Sequence, residues 1–272
     1  MIFVSYNIQW GTGKDERVDL PRIAGEIGDA DVIALQEVDR HWTRSNMTDQ
    51  AAAFAALFPA HHWIYGPAMD LDSRSVNRRR QFGNMLLARA PILTSRNHLL
   101  PKKNLPEKLS TQRALLEAVI EAPAGPLRVH SLHLGHSETG ERLLQIARLR
   151  EILAAAPAEG GAWTGRDYDP VWEEDGPQPP MPARAILLGD FNLKPDSEEH
   201  AALCAGPDGL VDSWRALGHD DASGWTCPLE DGNWRIDYAF VTPSLKDRLR
   251  RMSVDQTAQG SDHQPIRIEI EL

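Results

Sequence analysis

The chain has 272 residues, 42% of them hydrophobic and 25% charged. This composition is ordinary for a protein with a large buried core, which excludes a disordered chain, and we expect one domain over residues 1–272. The net charge of −10 argues against a protein that holds duplex nucleic acid on a broad basic surface. Two cysteines are too few for a disulfide framework. Without a signal-peptide pattern or an apolar run of membrane-spanning length, the expected location is the cytoplasm.

The first part of the chain alternates between strand and helix patterns. Residues 2–8 and 31–37 are apolar runs that predict buried strands, and residues 20–27 between them have apolar side chains at helical spacing. A strand, a helix and a second strand predict a parallel crossover unit. A helix is expected at 49–57, followed by a basic, turn-rich segment that includes Arg74, Arg78, Arg79 and Arg80.

The middle and the end of the chain are rich in strand patterns. Short breaks between the first four of them predict antiparallel neighbours. The strands are expected at 83–89, 92–99, 113–120, 126–134, 185–188, 235–241, 248–254 and 265–271. A long helix is predicted at about 138–156. Residues 157–182 contain several Gly and Pro, Trp163, Trp172 and the acidic Glu173–Asp175, and predict a surface excursion rather than a linker.

Polar residues occur where the apolar strands end. Asn7 follows the run 3–6, Glu37 follows the run 32–35, His133 follows the run 129–132, and Asp190 and Asn192 follow the run 186–189. Ligands of layered α/β proteins bind at such rims, where rigid strands direct side chains into one crevice. We therefore expect these residues to converge on a site.

Two further polar positions lie near the end of the chain. Asp237 lies inside the otherwise apolar run 234–241, and Asp262 and His263 open the final strand pattern. A buried carboxylate is costly without a partner, so Asp237 requires a cation or an imidazole. His263 is the expected partner.

Five motifs in this order resemble the endonuclease/exonuclease/phosphatase family. They are Ser5-Tyr6-Asn7-Ile8, Leu35-Gln36-Glu37-Val38-Asp39, Gly189-Asp190-Phe191-Asn192, Arg235-Ile236-Asp237-Tyr238 and Ser261-Asp262-His263-Gln264-Pro265-Ile266. The resemblance implies a four-layer α/β/β/α sandwich, an α/β (α+β) fold in which two packed, mixed, mostly antiparallel sheets are flanked by helices. Periodicity alone indicates only a mixed α/β protein.

The resemblance also implies hydrolysis of phosphomonoesters or phosphodiesters with Mg²⁺ or Mn²⁺. Glu37 is then the principal metal ligand, with Asn7 and Asp262 close to the ion and coordinating it directly or through water. Oxygen ligands of this kind suit a hard cation. The residues are compatible with one ion or with two.

Catalytic roles follow from the same resemblance. His263, held by Asp237, either takes a proton from the attacking water or contacts the phosphate as imidazolium, and Asp190 is the other candidate for the base. Asn192 is expected to position the nucleophile or a phosphate oxygen. His133 is expected to donate to a non-bridging oxygen, and preorganised donors of this kind contribute a few kcal/mol each.

Arg113 and Asn84 are the expected substrate-binding residues. The planar guanidinium of Arg113 suits a phosphate, and Asn84 in Phe82-Gly83-Asn84-Met85 resembles a family position near the site. A structural polar contact is the alternative for both. The cluster from Arg74 to Arg80 is either part of the cleft mouth or a solvated loop.

The substrate is the open question, since a shared catalytic core does not set specificity. The acidic balance favours a small phosphoester or a lipid head group over DNA or RNA, although a nuclease stays an alternative. A catalytically silent protein that binds a ligand or partner is the alternative outside the enzymes. No protein partner is predicted.

Overall fold

The computed structural model describes residues 1–73, 77–165 and 178–272. Arg74 of the basic cluster, and Trp172 and Glu173–Asp175 of the excursion, therefore lie outside the described residues. Within the described part of the chain, no helix is both long and apolar enough to cross a membrane.

Strands and helices are numbered here in chain order. The strands are β1 Ile2–Asn7, β2 Val32–Arg40, β3 His62–Asp72, β4 Arg79–Ala88, β5 Ile92–Leu99, β6 Ala114–Ala122, β7 Gly125–His133, β8 Ala185–Asp190, β9 Val211–Asp212, β10 Cys227–Leu229, β11 Gly232–Trp234, β12 Asp237–Val241, β13 Leu249–Val254 and β14 Ile266–Ile270. The α-helices are α1 Leu20–Ile27, α2 Gln50–Leu57, α3 Thr139–Glu159, α4 Glu198–Cys204 and α5 Ser213–Ala216. Short 3-10 helices include Gln9–Gly11, Thr43–Ser45 and Pro243–Arg248.

Two six-stranded sheets form the centre of the fold. The first has the strand order β13-β14-β1-β2-β4-β3, and the second has the order β5-β6-β7-β8-β12-β9. β1 and β2 are parallel, as are β7 and β8, while the other neighbours are antiparallel. The predicted crossover unit of β1, α1 and β2 is confirmed, because an α-helix returns the chain to the same edge for a parallel pairing. A separate hairpin pairs β10 with β11.

Three apolar cores separate four layers. The first core lies between the sheets, where Phe3 of one sheet and Leu116 of the other are buried in one cluster. The second includes Ile23 of α1 and Phe54 of α2 on the outer face of the first sheet. The third includes Leu149 of α3 on the outer face of the second sheet. Since each buried large apolar side chain contributes about 1.5–3 kcal/mol, these interfaces hold the layers together, and the predicted four-layer sandwich is confirmed.

The helices on the first sheet begin at well-defined caps. The Asp19 carboxylate accepts a hydrogen bond from the Arg22 amide, and Asp49 caps α2 by accepting from the Ala52 amide. Each cap satisfies an amide that has no partner inside the helix, which is worth about 1 kcal/mol. The caps fix where α1 and α2 begin on the outer face of the first sheet.

Three sequence-based boundaries were wrong. The segment after α2 is not turn-rich throughout, because β3 occupies His62–Asp72 at the edge of the first sheet. Its Pro67 lies at a register irregularity, where an edge strand tolerates a residue without an amide proton. β12 begins at Asp237, so this carboxylate is at a strand end rather than inside a strand. Finally, α3 continues through Pro157 to Glu159, into the predicted excursion.

Candidate active site

Three polar side chains form a row across the second sheet. His133 at the end of β7 is in register with Asp190 at the end of β8. Asp190 is in register with Asp237 at the start of the antiparallel β12. Gly189 precedes Asp190 at φ 154°, and a Cβ atom there would collide with the Leu132 carbonyl oxygen. The glycine thus allows β7 and β8 to approach closely enough to bring His133 and Asp190 together.

Glu37 reaches the site from the first sheet through a β-bulge. The β2–β4 register shifts between Leu35 and Val38, so that two residues of β2 stand opposite one residue of β4. Glu37 itself is in the left-handed region at φ 61°. A bulge redirects a side chain out of the regular alternation of the strand, and strained backbone of this kind clusters at functional sites. No local sequence pattern indicated this bulge.

Asn7 connects the two sheets inside the site. Its Nδ2 atom donates to Asp190 Oδ2 at 3.0 Å and to Glu37 Oε1 at 3.3 Å, and lies 3.5 Å from His263 Nε2. The Asn7 Oδ1 atom accepts from the Gln9 amide at 3.1 Å. Asn7 therefore presents its amide nitrogen to the two carboxylates, and its amide would have to turn over to offer oxygen to a cation.

His263 and Asp237 form a buried pair. His263 Nδ1 lies 2.8 Å from Asp237 Oδ2, so the expected pairing is present. Burial acts to lower the pKa of His263, but the charge of Asp237 and its hydrogen bond outweigh burial and raise the pKa well above its ordinary value. The geometry favours an imidazolium with Nδ1–H donated to Asp237. The other nitrogen, Nε2, lies 3.8 Å from Asp190 Oδ2.

His133 is oriented by Arg113. Arg113 Nη1 lies 3.0 Å from His133 Nδ1, and its Nη2 lies 3.2 Å from His136 Nδ1. A guanidinium can only donate, so both imidazoles must accept at Nδ1 and carry their proton on Nε2. Burial and the Arg113 charge lower the pKa of His133 well below its ordinary value, which is consistent with a neutral ring. Its Nε2 atom faces Asp190 Oδ2 at 3.3 Å.

Asp190 is the carboxylate on which these donors converge. Burial and the nearby Asp237 charge raise its pKa to about 7, against the opposing effect of His263. Asp190 Oδ1 accepts from the Asn192 amide at 2.9 Å, and the Asn192 side chain donates to the Leu134 carbonyl at 3.1 Å. Asn192 is itself held at φ 51°, a second strained position beside the site.

Asp262 lies at the side of Glu37. Burial raises the pKa of Glu37 against the Arg113 and His263 charges and the Asn7 hydrogen bond, and the Asp262 charge adds the smallest effect, in the raising direction. Ser261 organises this corner: its Oγ donates to the Asn7 carbonyl at 2.7 Å and accepts from the His263 amide at 3.2 Å. Sequence reasoning placed Ser261 in a motif but gave it no role.

Two places in the site could hold a divalent cation, one at Glu37 and one beside His263. Glu37 Oε2 and Asp237 Oδ1 are both buried and have no hydrogen-bond partner among the described residues. Asp190, Asp237 and His263 also have ligand-type atoms within 4.8 Å of one another. However, His263 Nδ1 is already hydrogen-bonded to Asp237 Oδ2. Unpartnered carboxylate oxygens of this kind are ligands that a hard cation takes.

The structure does not bring every predicted residue into this cluster. Asn84 lies between the sheets, where Nδ2 donates to the Ala114 carbonyl at 2.8 Å and to the Ser131 carbonyl at 3.1 Å. Both amide protons are thereby used, and its part in substrate binding stays a prediction, as does that of Arg113. His136, to which the sequence analysis gives no role, shares the Arg113 guanidinium with His133. A histidine three residues after His133 was the only available signal.

The family of the chain is shown by a sequence match that includes all the site residues described above. Residues 4–263 match the family model described as Endonuclease/Exonuclease/phosphatase family. The chain belongs to this family of hydrolases. No curated protein matches its sequence significantly.

Several solved structures have the same fold as this chain. One is the endonuclease/exonuclease/phosphatase from Beutenbergia cavernae, with a TM-score of 0.74 and 22% identity over 100% of this chain and 71% of that chain. Another is the Bacteroides thetaiotaomicron mannosyl-6-phosphatase, with a TM-score of 0.66 and 17% identity over 100% of both chains. A humanized TDP2 from D. rerio has a TM-score of 0.59 and 17% identity over 100% of this chain and 99% of that chain. At these identities the likeness shows the shared fold.

Proposed function

We propose that this family member is a divalent-metal-dependent phosphoesterase that hydrolyses a phosphomonoester or phosphodiester by attack of water. The observation that carries the proposal is the Asn7 amide, which bonds to Glu37 of one sheet and to Asp190 of the other beside the His263–Asp237 pair. Three groups with different uses thus lie close together. Glu37 would bind a cation, Asp190 would accept a proton, and the His263 imidazolium would bind an anion. We further propose that residues 1–272 form one domain, because both sheets contribute to the site.

Glu37 and Asp262 would hold the cation, Mg²⁺ or Mn²⁺, with Asn7 as their neutral neighbour. When bound, such an ion neutralises charge on the phosphoryl group and on the leaving oxygen. The chain itself prepares this corner, because the bulge at Glu37 aims the carboxylate and burial leaves Oε2 without another partner among the described residues. One ion or two are compatible with these residues.

The other site residues would bind the phosphate oxygens or activate and position the attacking water. Asp190 would accept the proton of the attacking water, since its pKa of about 7 suits a base at neutral pH. His263, kept protonated by Asp237, would donate from Nε2 to a phosphate oxygen. His133 would donate to a non-bridging oxygen from the Nε2–H that Arg113 enforces. Asn192, fixed beside Asp190, would position the water.

A small-molecule or lipid-head-group ester is the favoured substrate. The net charge of −10 leaves little basis for a continuous surface that follows a nucleic acid backbone. The structural neighbour named as a mannosyl-6-phosphatase agrees with a small substrate, although its 17% identity supports only a shared fold. Cleavage of DNA or RNA is the alternative that substrate tests must separate.

The test is metal-dependent turnover of a panel with a matched variant. The panel contains p-nitrophenyl phosphate, bis(p-nitrophenyl) phosphate, sphingomyelin, an abasic duplex and supercoiled plasmid, each with Mg²⁺ or Mn²⁺ and with chelator. We expect turnover of a small ester or of the lipid that is lost in chelator and in Glu37→Gln. Cleavage of DNA alone would replace the favoured substrate class with the nuclease. Metal binding without turnover of any substrate would favour a catalytically silent binder.

A further inference from the structure

Arginine and tryptophan side chains alternate along one wall beside the site. The Arg44 guanidinium carbon lies 4.3 Å from the centroid of the Trp10 ring and 4.6 Å from that of Trp42. The Arg80 guanidinium carbon lies 4.9 Å from the Trp42 centroid. We call Arg80, Trp42, Arg44 and Trp10 the cation–π ladder. Stacking of this kind fixes a guanidinium in place while leaving its charge.

Arg44 is held by a further contact that leaves a donor free. Its Nε and Nη2 atoms donate to the two carboxylate oxygens of Asp39 at 2.9 and 2.8 Å. The Asp39 side chain is fully buried, whereas that of Arg44 is 35% exposed. Nη1 makes no hydrogen bond to a described residue. A guanidinium fixed by a carboxylate and two rings thus keeps one amino group available to a ligand.

The ladder borders the proposed catalytic residues. Arg44 also lies over the Phe82 ring at 5.3 Å, and the Phe82 and His133 ring centroids are 6.5 Å apart. Asp39 is two residues beyond Glu37 on β2. Trp10 and the residue before it, Gln9, are both held in the left-handed region at φ 45° and 44°. Two consecutive strained residues, one residue beyond the end of β1, are the type of feature that clusters at functional sites.

The charge of the ladder is not fully neutralised. Arg44 is paired with Asp39, but Arg80 donates only to the Asp72 carbonyl and forms no ion pair with a described carboxylate. Two fixed guanidinium groups therefore stand beside a site rich in carboxylates, in a chain with a net charge of −10. The Trp42 ring already lies under both guanidinium groups, so the ladder offers charge and N–H donors rather than a free aromatic face.

We propose that Arg44 and Arg80 bind a second anionic group of the substrate, a phosphate or carboxylate apart from the scissile phosphate. This inference rests on the proposed phosphoesterase function and names a substrate class for it, a phosphoester that carries another anion. A second anion recognised by charge-assisted hydrogen bonds raises affinity roughly tenfold or more. A planar base stacked on the ladder is the competing ligand.

The experiment measures binding separately from turnover. Glucose 6-phosphate, glucose 1,6-bisphosphate and adenosine 5′-monophosphate are titrated with Mg²⁺ into the full-length His263→Gln variant by isothermal calorimetry. The bisphosphate is expected to bind about tenfold tighter than the monophosphate, and the preference is expected to shrink as salt is raised. Any general loss of phosphate affinity in His263→Gln affects the two sugar phosphates alike, so their ratio is the readout.

Variants in the same background locate the preference. Arg80→Gln should abolish most of the preference for the bisphosphate, because it removes one of the two proposed ligands of the second anion. The variant should still fold, because Arg80 has no buried partner that its loss would leave unpaired. Arg44→Gln is combined with Asp39→Asn, so that no buried carboxylate is left unpaired. Arg79→Gln is the matched control, since Arg79 pairs with Asp70 outside the ladder. Circular dichroism melts verify that each variant folds.

Each outcome decides the proposal. A preference that is lost in both ladder variants and kept in Arg79→Gln supports it. The proposal is overturned if the two sugar phosphates bind equally or undetectably, or if the preference survives in the ladder variants. Tighter binding of the adenosine monophosphate than of the bisphosphate would indicate base stacking instead. Turnover of the panel by the unmodified protein is measured separately. A preference for the bisphosphate without hydrolysis of any substrate would refute only the proposed phosphoesterase function. Hydrolysis without a preference for the bisphosphate would refute only the proposed role of the cation–π ladder.

Discussion

Glu37→Gln should change the stability of the protein in opposite directions with and without a divalent cation. Burial, aided by the Asp262 charge, raises the pKa of Glu37, and one of its oxygens has no hydrogen-bond partner among the described residues. The folded state thus binds the Glu37 proton more tightly than the unfolded chain does. Stability is therefore lost as pH rises through the window between the two pKa values, and the cost is larger at pH 8 than in acid.

The magnitude follows from the orphaned carboxylate. An unsatisfied buried polar group costs about 1–3 kcal/mol, and a neutral amide of the same shape should recover about 1–2 kcal/mol of that cost. In chelator at pH 8, Glu37→Gln is therefore expected to melt roughly 2–6 °C higher than the unmodified protein. A cation present at about 100 times its dissociation constant adds about 2.7 kcal/mol to a protein that binds it. With Mg²⁺ the unmodified protein should become the more stable of the two.

The assay is thermal unfolding followed by circular dichroism, at pH 8, with chelator and with a series of Mg²⁺ concentrations. Glu151→Gln is the control, because Glu151 is a 65% exposed residue of a surface pair with Arg148, and its loss should change stability by less than about 0.5 kcal/mol in either condition. If Glu37→Gln were destabilised in chelator, or if Mg²⁺ stabilised both proteins equally, the assignment of Glu37 as the metal ligand would be refuted.

Three further predictions concern the residues around the phosphate. Asp237→Asn removes the charge that keeps His263 protonated, so kcat should fall about 10- to 100-fold and its decline at high pH should move to lower pH; an unchanged kcat–pH profile would contradict this. Arg113→Lys replaces the guanidinium, which donates to both His133 and His136, with a single ammonium group. Because His133 Nδ1 then loses its fixed donor, ¹⁵N NMR should show His133 as a mixture of tautomers. A single Nε2–H tautomer would argue against orientation by Arg113. Ser261→Ala should cost about 1 kcal/mol of stability and lower kcat more than it raises KM; a change in KM alone would place Ser261 in ground-state binding.

Much of the site was predictable because strand ends converge in layered folds. Asn7, His133 and Asp190 follow apolar runs directly, and the crevice at the ends of buried strands is where such folds bind their ligands. The pairing of His263 with Asp237 followed from the cost of a buried carboxylate. These inferences need only the order of residues along one strand and the polarity of each side chain.

Other features depended on contacts between distant parts of the chain. β3 was missed because Gly66, Pro67 and its polar residues weaken the strand pattern, and only pairing with β4 stabilises it as an edge strand. Substrate binding by Asn84 stays a prediction, but its hydrogen bonds to the Ala114 and Ser131 carbonyls across the inter-sheet space come from the packing of the two sheets. Neither acceptor can be inferred from the residues next to Asn84.

The sequence by itself determined the composition of each layer, the strand-end residues and the family motifs, because polarity and periodicity are local properties. Only the tertiary structure decided the bulge that aims Glu37, the shared guanidinium that orients His133 and His136, and the stacking of Arg44 between its rings. Each of these depends on register or on distances between residues far apart in the chain. Such distances are set by how two sheets pack, and no local pattern encodes them.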